Sequence, residues 1–228
     1  MNDAGTTQKA SDIVYFRIKE KILDLHIHPG DSISELAISK ELGIGRTPVR
    51  EALKKLEQEG ILITVNGRKK VPSLSTKDIS EIFEIKIAIE TMFAINAAKK
   101  ITSKRAKQLS IVMNKMASFQ TAMKEQISQH NNLQEWLILD KEFHSIIAQI
   151  NDNKRADSII NSLNLQWHRW RMGIMAMEGR VFQSTIEHIQ IGKAIIEGNS
   201  DESGRLMNLH LQNLYNTIIT IATTFNLA

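Results

Sequence analysis

The stretch GIGRTPVREALKKLEQEG, residues 43–60, decides the fold. Pro48 suits the first turn of a helix, where its missing N–H costs nothing, and Thr47 before it is the expected cap. Val49, Ala52, Leu53 and Leu56 then recur at i, i+3, i+4 and i+7, an apolar stripe that needs a core beneath it. Gly60 follows the last periodic residue and can end the helix in a left-handed conformation. The opposite face carries Arg46, Thr47, Arg50 and Lys54. Free N–H groups and the helix dipole already favour an anion at this end, so arginines there predict a phosphate-binding face. Taken alone, the same residues also fit an ordinary charged surface.

The flanking residues decide for the first reading. Ser34 is expected to cap a short helix over 34–41, with Ala37, Ile38 and Leu42 facing one way. Gly43 supplies a tight turn, Ile44 turns inward, and Arg46 opens the next helix. Helix, glycine turn and second helix with basic N-terminal residues is the helix-turn-helix layout, whose second helix enters the major groove of DNA. After Gly60, Ile61–Val65 reads as a strand, Asn66-Gly67 as a hairpin turn, and Arg68–Val71 as the returning strand. Two strands with a basic tip make a wing. Residues 46–70 hold seven Arg and Lys against Glu51, Glu57 and Glu59, a net +4 that equals the formal charge of the whole chain. That local excess is the footprint of a phosphate-backbone contact.

The run from Pro29-Gly30 through LGIGRTPVREAL to Glu59-Gly60 resembles the GntR-family winged helix, over roughly residues 9–75. The string RTPVREAL at 46–53 is that family's signature. The resemblance implies that Gly45, Arg46, Thr47 and Arg50 touch operator DNA, and that Asn66 and Gly67 form the wing tip. Leu36 stands where a basic or polar residue is common, Gly45 where Ser or Thr is usual, and Lys69 where a wing glycine is typical. These departures leave the operator sequence open.

A length of 228 residues allows two modest domains, each with its own core. Hydrophobic residues at 42% and charged ones at 24% are ordinary for a soluble globular protein. With no cysteine, disulfides and thiolate metal sites are excluded, which fits a reducing cytoplasm. Residues 1–9 are polar, expected to be loosely ordered, and lack the apolar core of a signal peptide. No apolar run is long enough to span a bilayer, so no membrane partner is expected. Val14, Ile18, Ile22 and Leu25 predict a first helix from Ser11 to Leu25, started by Ser11 and Asp12. Pro29-Gly30 then turns the chain, and His26 and His28 beside it read as exposed loop residues.

Pro72, Ser73, Ser75 and Thr76 mark a linker at 73–77, between a DNA-binding domain over 10–72 and a second domain over 78–224. No proline follows Pro72, and the later composition favours helices at about 77–100, 103–127, 131–150, 154–177, 179–198 and 200–224. The expected fold class is therefore mainly α, an N-terminal winged helix-turn-helix followed by an all-α six-helix bundle.

Histidines carry the chemistry of that bundle. Asp140 and His144 are four apart, hence on one face of one helix, beside Leu137, Phe143 and Ile147. His188 and His210 lie eleven residues on either side of the turn at Asn199. In an antiparallel hairpin, roughly 16 Å of helix on each side places them at the same height. Ile186, Ile189, Leu206, Leu209 and Leu214 around them predict buried faces. One carboxylate and three imidazoles at one level of a bundle can ligate a divalent ion, or can each be a hydrogen-bonded core residue.

D-x-x-x-H at 140–144, E-H-x-x-I-x-x-A-I-x-x-G at 187–198 and M-x-x-H-L at 207–211 resemble the FCD domain that follows a GntR winged helix in the FadR-type subfamily, over roughly 78–220. Six helices are similar to its VanR-type branch. The resemblance implies that Asp140, His144, His188 and His210 hold a metal ion, zinc or nickel. It also puts Lys86 where an arginine often contacts an effector carboxylate, with Glu90 one turn further on, and it matches Asn153 to a family asparagine. Arg169 or Arg171 can face the same pocket. Trp136, Trp167 and Trp170 read as packing residues, and His130 and His168 as loop and solvent-facing residues.

These readings predict a ligand-responsive transcription regulator, cytoplasmic and homodimeric, that binds a palindromic operator and responds to a small carboxylate. The alternative is a metal-dependent hydrolase using the Asp/His3 site. Against it, the sequence shows no further carboxylate placed as a general base, no nucleophile motif and no phosphate loop.

Overall fold

The computed structural model describes residues 9–24, 26–73, 75–124, 132–175 and 179–224, without the side chains of 123, 124, 132, 133 and 168–175. The chain divides into two compact units, one of residues up to Leu74 with Asn164–Arg169, the other of Ser75–Leu163 with Trp170–Ala228. Leu25, residues 1–8 and His130 lie outside the described residues.

The first unit contains α1 (Ala10–Leu23), β1 (Ser32–Ile33), α2 (Glu35–Leu42), α3 (Arg46–Gln58), β2 (Ile63–Val65) and β3 (Arg68–Lys70). Val49, Ala52, Leu53 and Leu56 of α3 bury the stripe foreseen for them, against Val14, Ile18 and Ile22 of α1 and Leu62 and Val71. The Ser34 side chain caps α2 through the Ala37 N–H, and Gly43 ends it with φ 64°. Ile38 is buried and Leu42 partly so, but Ala37 is exposed, because an eight-residue helix offers α3 only a narrow edge. Helix α3 starts one residue before Thr47, with Gly45 in the capping position, so Thr47 is an exposed first-turn residue rather than the cap. Pro48 is third in the helix, which costs nothing since all four leading N–H groups lack intrahelical partners. The wing has a third strand that the sequence did not announce: the order is β1-β3-β2, all antiparallel, with Ser32 and Ile63 both opposite Lys70.

In the second unit come α4 (Thr76–Lys100), α5 (Ser103–Lys124), α6 (Asn132–Asn151), α7 (Lys154–Met175), α8 (Arg180–Ile196) and α9 (Ser200–Thr224). Ser75 and Asp78 form a capping box at the start of α4. Left-handed residues make three of the turns between helices: Asp152 at φ 50°, Gly179 at φ 80° and Gly198 at φ 72°. Helices α4 and α9 approach closely because Gly204 has no Cβ; one built there would meet Ile95 Cγ1 at 2.5 Å. Tight packing of α4, α6, α8 and α9 brings residues from four separate segments to one level.

Candidate metal centre and nucleic-acid interface

Asp140 and His144 emerge from α6, His188 from α8 and His210 from α9, and they meet. The ligating nitrogens of the three histidines lie within 4.8 Å of one another. His144 Nε2 and His188 Nε2 are 3.0 Å apart, and Asp140 Oδ1 is 3.4 Å from His188 Nε2 and 4.0 Å from His144 Nε2. Nitrogens on one tetrahedral ion with bonds of about 2.0–2.1 Å lie roughly 3.3 Å apart, so these separations suit a single ion. Leu209, one residue from His210, is exposed rather than buried, while Leu214 is buried as expected.

Each imidazole has an outward partner. His144 Nδ1 is 2.7 Å from Glu90 Oε2, His210 Nδ1 is 2.7 Å from Glu187 Oε2, and His188 Nδ1 donates to the Ser184 carbonyl at 2.6 Å. A ring that donates from Nδ1 keeps its Nε2 lone pair for the interior, which is the tautomer a metal needs. Two lone pairs facing each other at 3.0 Å repel unless a cation lies between them. Burial, then the neighbouring His188, push the His210 pKa down to about 4, so this ring is neutral at pH 7. The donor set therefore fits a divalent ion: three imidazoles, one carboxylate and an ordered outer layer. Trp136 backs it, donating to Thr185 Oγ1 at 3.1 Å and meeting His188 edge-on at 6.0 Å.

Sequence reasoning missed most of that outer layer. Glu187 accepts from Arg180 at 3.3 Å and from Asn213 at 2.9 Å as well as from His210. Burial alone would raise its pKa, but the His210 hydrogen bond and the His210 and Arg180 charges hold it down to about 2. Glu90 is likewise fully buried, yet Lys86 and His144 keep its carboxyl well below the usual range. Both carboxylates are engaged as acceptors, so neither stands as a free general base beside the histidines. The one available signal was the spacing of Lys86 and Glu90 four residues apart on a helix.

The expected effector contacts fare differently. Lys86 is buried and its ammonium pairs with Glu90. Asn153 is exposed and its side chain accepts from the Ala156 N–H, which makes it a helix cap. The side chains of Arg169 and Arg171, with those of His168 and Trp170, lie outside the described residues. Trp167 is buried and donates to Asn164 Oδ1 at 3.1 Å. His26 and His28 are exposed, as read from the sequence.

In the first unit, Arg46, Thr47, Arg50 and Lys54 share the exposed face of α3. Arg50 is held across the turn by Glu35, its Nη2 3.1 Å from Oε2. Gly45 precedes them with φ −57° and ψ 157°. At the wing tip Asn66 has φ 50° and Gly67 φ 74°, the pair of positive values that a two-residue hairpin turn with matching twist requires. Arg68 is exposed beside them, while Lys69 pairs with Glu57 and donates to Thr64 Oγ1 at 2.7 Å.

A winged helix with a basic reading helix, followed by an all-helical domain, defines a DNA-binding transcriptional regulator. Residues 10–69 match the bacterial regulatory proteins of the gntR family, and residues 81–213 match the FCD domain. The chain belongs to the GntR family, as a member with an FCD domain. It is 27% identical to the HTH-type transcriptional repressor RspR of Escherichia coli strain K12, over 93% of this chain and 90% of that one. It is 25% identical to the HTH-type transcriptional regulator YdhC of Bacillus subtilis strain 168, over 87% and 86%. In fold it is similar to E. coli McbR/YncC, with a TM-score of 0.69 at 16% identity, covering 93% of this chain and 98% of that one. The family and these relatives are transcriptional regulators, not enzymes, so the hydrolase alternative is set aside. Among the described residues no helix is long and apolar enough to cross a membrane.

Proposed function

We propose that this regulator binds a palindromic operator as a cytoplasmic homodimer, and that a small carboxylate at a zinc or nickel centre sets its operator affinity. In this reading residues 10–72 contact DNA through Gly45, Arg46, Thr47, Arg50, Asn66 and Gly67, residues 73–77 link, the last two already in the first turn of α4, and residues 78–224 dimerise and hold the metal and effector. Asp140, His144, His188 and His210 are the ligands. The observation that carries the reading is the outward donation of all three Nδ1 groups, which leaves inward-facing Nε2 atoms beside Asp140. The bound ion would supply a fixed positive charge at the floor of the site. With three neutral imidazoles, Asp140 cancels one of its two charges, and the Lys86–Glu90 and Arg180–Glu187 pairs each cancel themselves. A net charge of +1 suits one carboxylate. That carboxylate would meet the ion rather than the Lys86 ammonium, because pulling Lys86 from Glu90 breaks a buried pair, a loss of about 3–5 kcal/mol. Arg169 is kept as an effector contact on its place in the sequence.

Metal analysis of protein purified without a His-tag tests the centre. The expected result is close to one divalent ion per chain, lost in the double variant His188→Ala with His210→Ala. An ion at about 100 times its Kd adds about 2.7 kcal/mol to stability, so chelation should lower the Tm. Absence of bound metal, with no uptake of added zinc or nickel, rejects the reading.

A further inference from the structure

Around the three histidines the chain builds two matching devices, each a carboxylate held by its own buried cation. On α4, Lys86 and Glu90 are one helical turn apart, and the Glu90 Oε2 atom turns away to meet His144 Nδ1 at 2.7 Å. On α8, Arg180 and Glu187 are two turns apart; both terminal nitrogens of Arg180 reach Glu187 Oε2 at 3.3 Å, and the same oxygen meets His210 Nδ1 at 2.7 Å. Asn213 of α9 occupies the other oxygen at 2.9 Å. All four charged residues are buried. His188 alone takes a backbone carbonyl instead, from Ser184 one turn earlier on its own helix.

Resting on the metal-centre reading, we propose that Glu90 and Glu187 are positioning residues, which fix the tautomer and rotation of His144 and His210 so that both present Nε2 to the ion. His188 does not need such a residue, since its own helix supplies the acceptor and Phe143 packs edge-on against its ring at 4.8 Å. At Nδ1 of His144 and His210 the partner is instead a carboxylate oxygen from another helix. An ionised carboxylate is a stronger acceptor than a carbonyl. Burying that carboxylate is costly unless a cation accompanies it, which gives Lys86 and Arg180 their place. The competing account makes both pairs plain structural ion pairs between helices. The two accounts differ in what a small displacement of the carboxylate does to the metal and not to the fold.

The test uses the full chain and compares wild type with Glu90→Gln, Glu187→Gln and Glu187→Asp. Zinc affinity is read by competition with a chromogenic chelator, coordination by the visible spectrum of the cobalt-loaded protein, and folding by the Tm in excess chelator. Removing an outer partner of a metal-bound histidine typically weakens binding by about 10- to 100-fold, and that loss is expected in all three variants, with an altered cobalt spectrum. Glu187→Asp keeps the charge that Arg180 needs but withdraws the oxygen from His210, so it should keep its metal-free Tm while losing affinity. It decides the matter if a glutamine variant fails to fold. Wild-type zinc affinity and cobalt spectrum in Glu187→Asp and in the folded glutamine variants overturn the proposal and leave the metal centre standing. A wild type that takes up neither zinc nor cobalt removes the centre and the proposal together.

Discussion

At the scale of single residues, Arg50 shows how a reading side chain is kept ready. Its guanidinium is exposed, so its pairing with Glu35 adds little stability, but the contact holds a long side chain in one direction before DNA arrives. Arg46→Ala or Arg50→Ala should weaken operator binding by about 1–3 kcal/mol if a base contact is lost, with the Tm unchanged because neither touches the core. A gel-shift titration in which the double variant matches wild type would falsify the assignment. The basic face was legible because the apolar stripe fixes which side of α3 is inward, and everything opposite follows from helical geometry. The histidines were legible for a similar reason, equal distances from one turn. Glu187 was not, since neighbours on a helix point about 100° apart and nothing in the sequence says that both 187 and 188 are inside. The approach of His210, Arg180 and Asn213 makes the carboxylate tolerable there.

The elements follow from local rules, and their strength can be tested locally. At the start of α4, Ser75 N–H and Oγ donate to Asp78 at 2.8 and 2.6 Å, and the Asp78 N–H donates back to Ser75 Oγ at 3.2 Å. Ser75→Ala should cost about 1 kcal/mol in a urea unfolding curve. The hydroxyl and N–H of Ser75 also lower the Asp78 pKa in the folded chain. A depressed carboxyl stabilises the fold above its unfolded value of about 3.9 and loses that contribution as pH falls through the folded value. The stability gap between wild type and Asp78→Asn should therefore be constant near neutrality and close below about pH 4; a gap that persists at lower pH would count against the box. Two helical glycines, Gly204 on α9 and Gly192 on α8, offer a second comparison. Gly→Ala in a helix gains about 1 kcal/mol of propensity, while overpacking costs about 1–3 kcal/mol. At Gly204 the obstacle is the branched Ile95, within 2.5 Å, so Gly204→Ala should lose about 1 kcal/mol net. At Gly192 the nearest atom is the Met113 sulfur at 2.4 Å, on an unbranched side chain that can swing aside, while the Phe143 ring at 3.2 Å need give only a few tenths of an ångström, so Gly192→Ala should be the milder of the two. Equal costs would show that the α4–α9 approach is not limiting. Six helices without a proline were readable in advance, whereas β1, two residues long, has no periodicity to read and exists only through its pairing with β3.

At the scale of the whole molecule, a short stretch of chain leads from the winged helix into the helical domain. Val71 is buried in the core of the first unit and Ser75 caps α4, which leaves residues 72–74 as the connecting length. Three residues reach at most roughly 10 Å. A tether that short transmits a change in one unit to the other more readily than a long flexible one, and half-sites must lie about 34–36 Å apart for two reading helices to dock together. A carboxylate that binds the metal centre should therefore shift operator affinity by about 5- to 150-fold, and DNA should shift carboxylate affinity by the same factor, since linkage is reciprocal. Asp140→Ala should abolish the shift by removing a ligand of the ion, while its operator affinity without carboxylate stays near wild type, because Asp140 belongs to the second unit. The measurement is an operator titration with and without a carboxylate found by thermal shift on zinc-loaded protein, in wild type and in Asp140→Ala. Equal operator affinities with and without a carboxylate that demonstrably binds the wild type would mean that the histidine cluster does not regulate DNA binding. A shift that survives in Asp140→Ala would place the effector somewhere other than the ion.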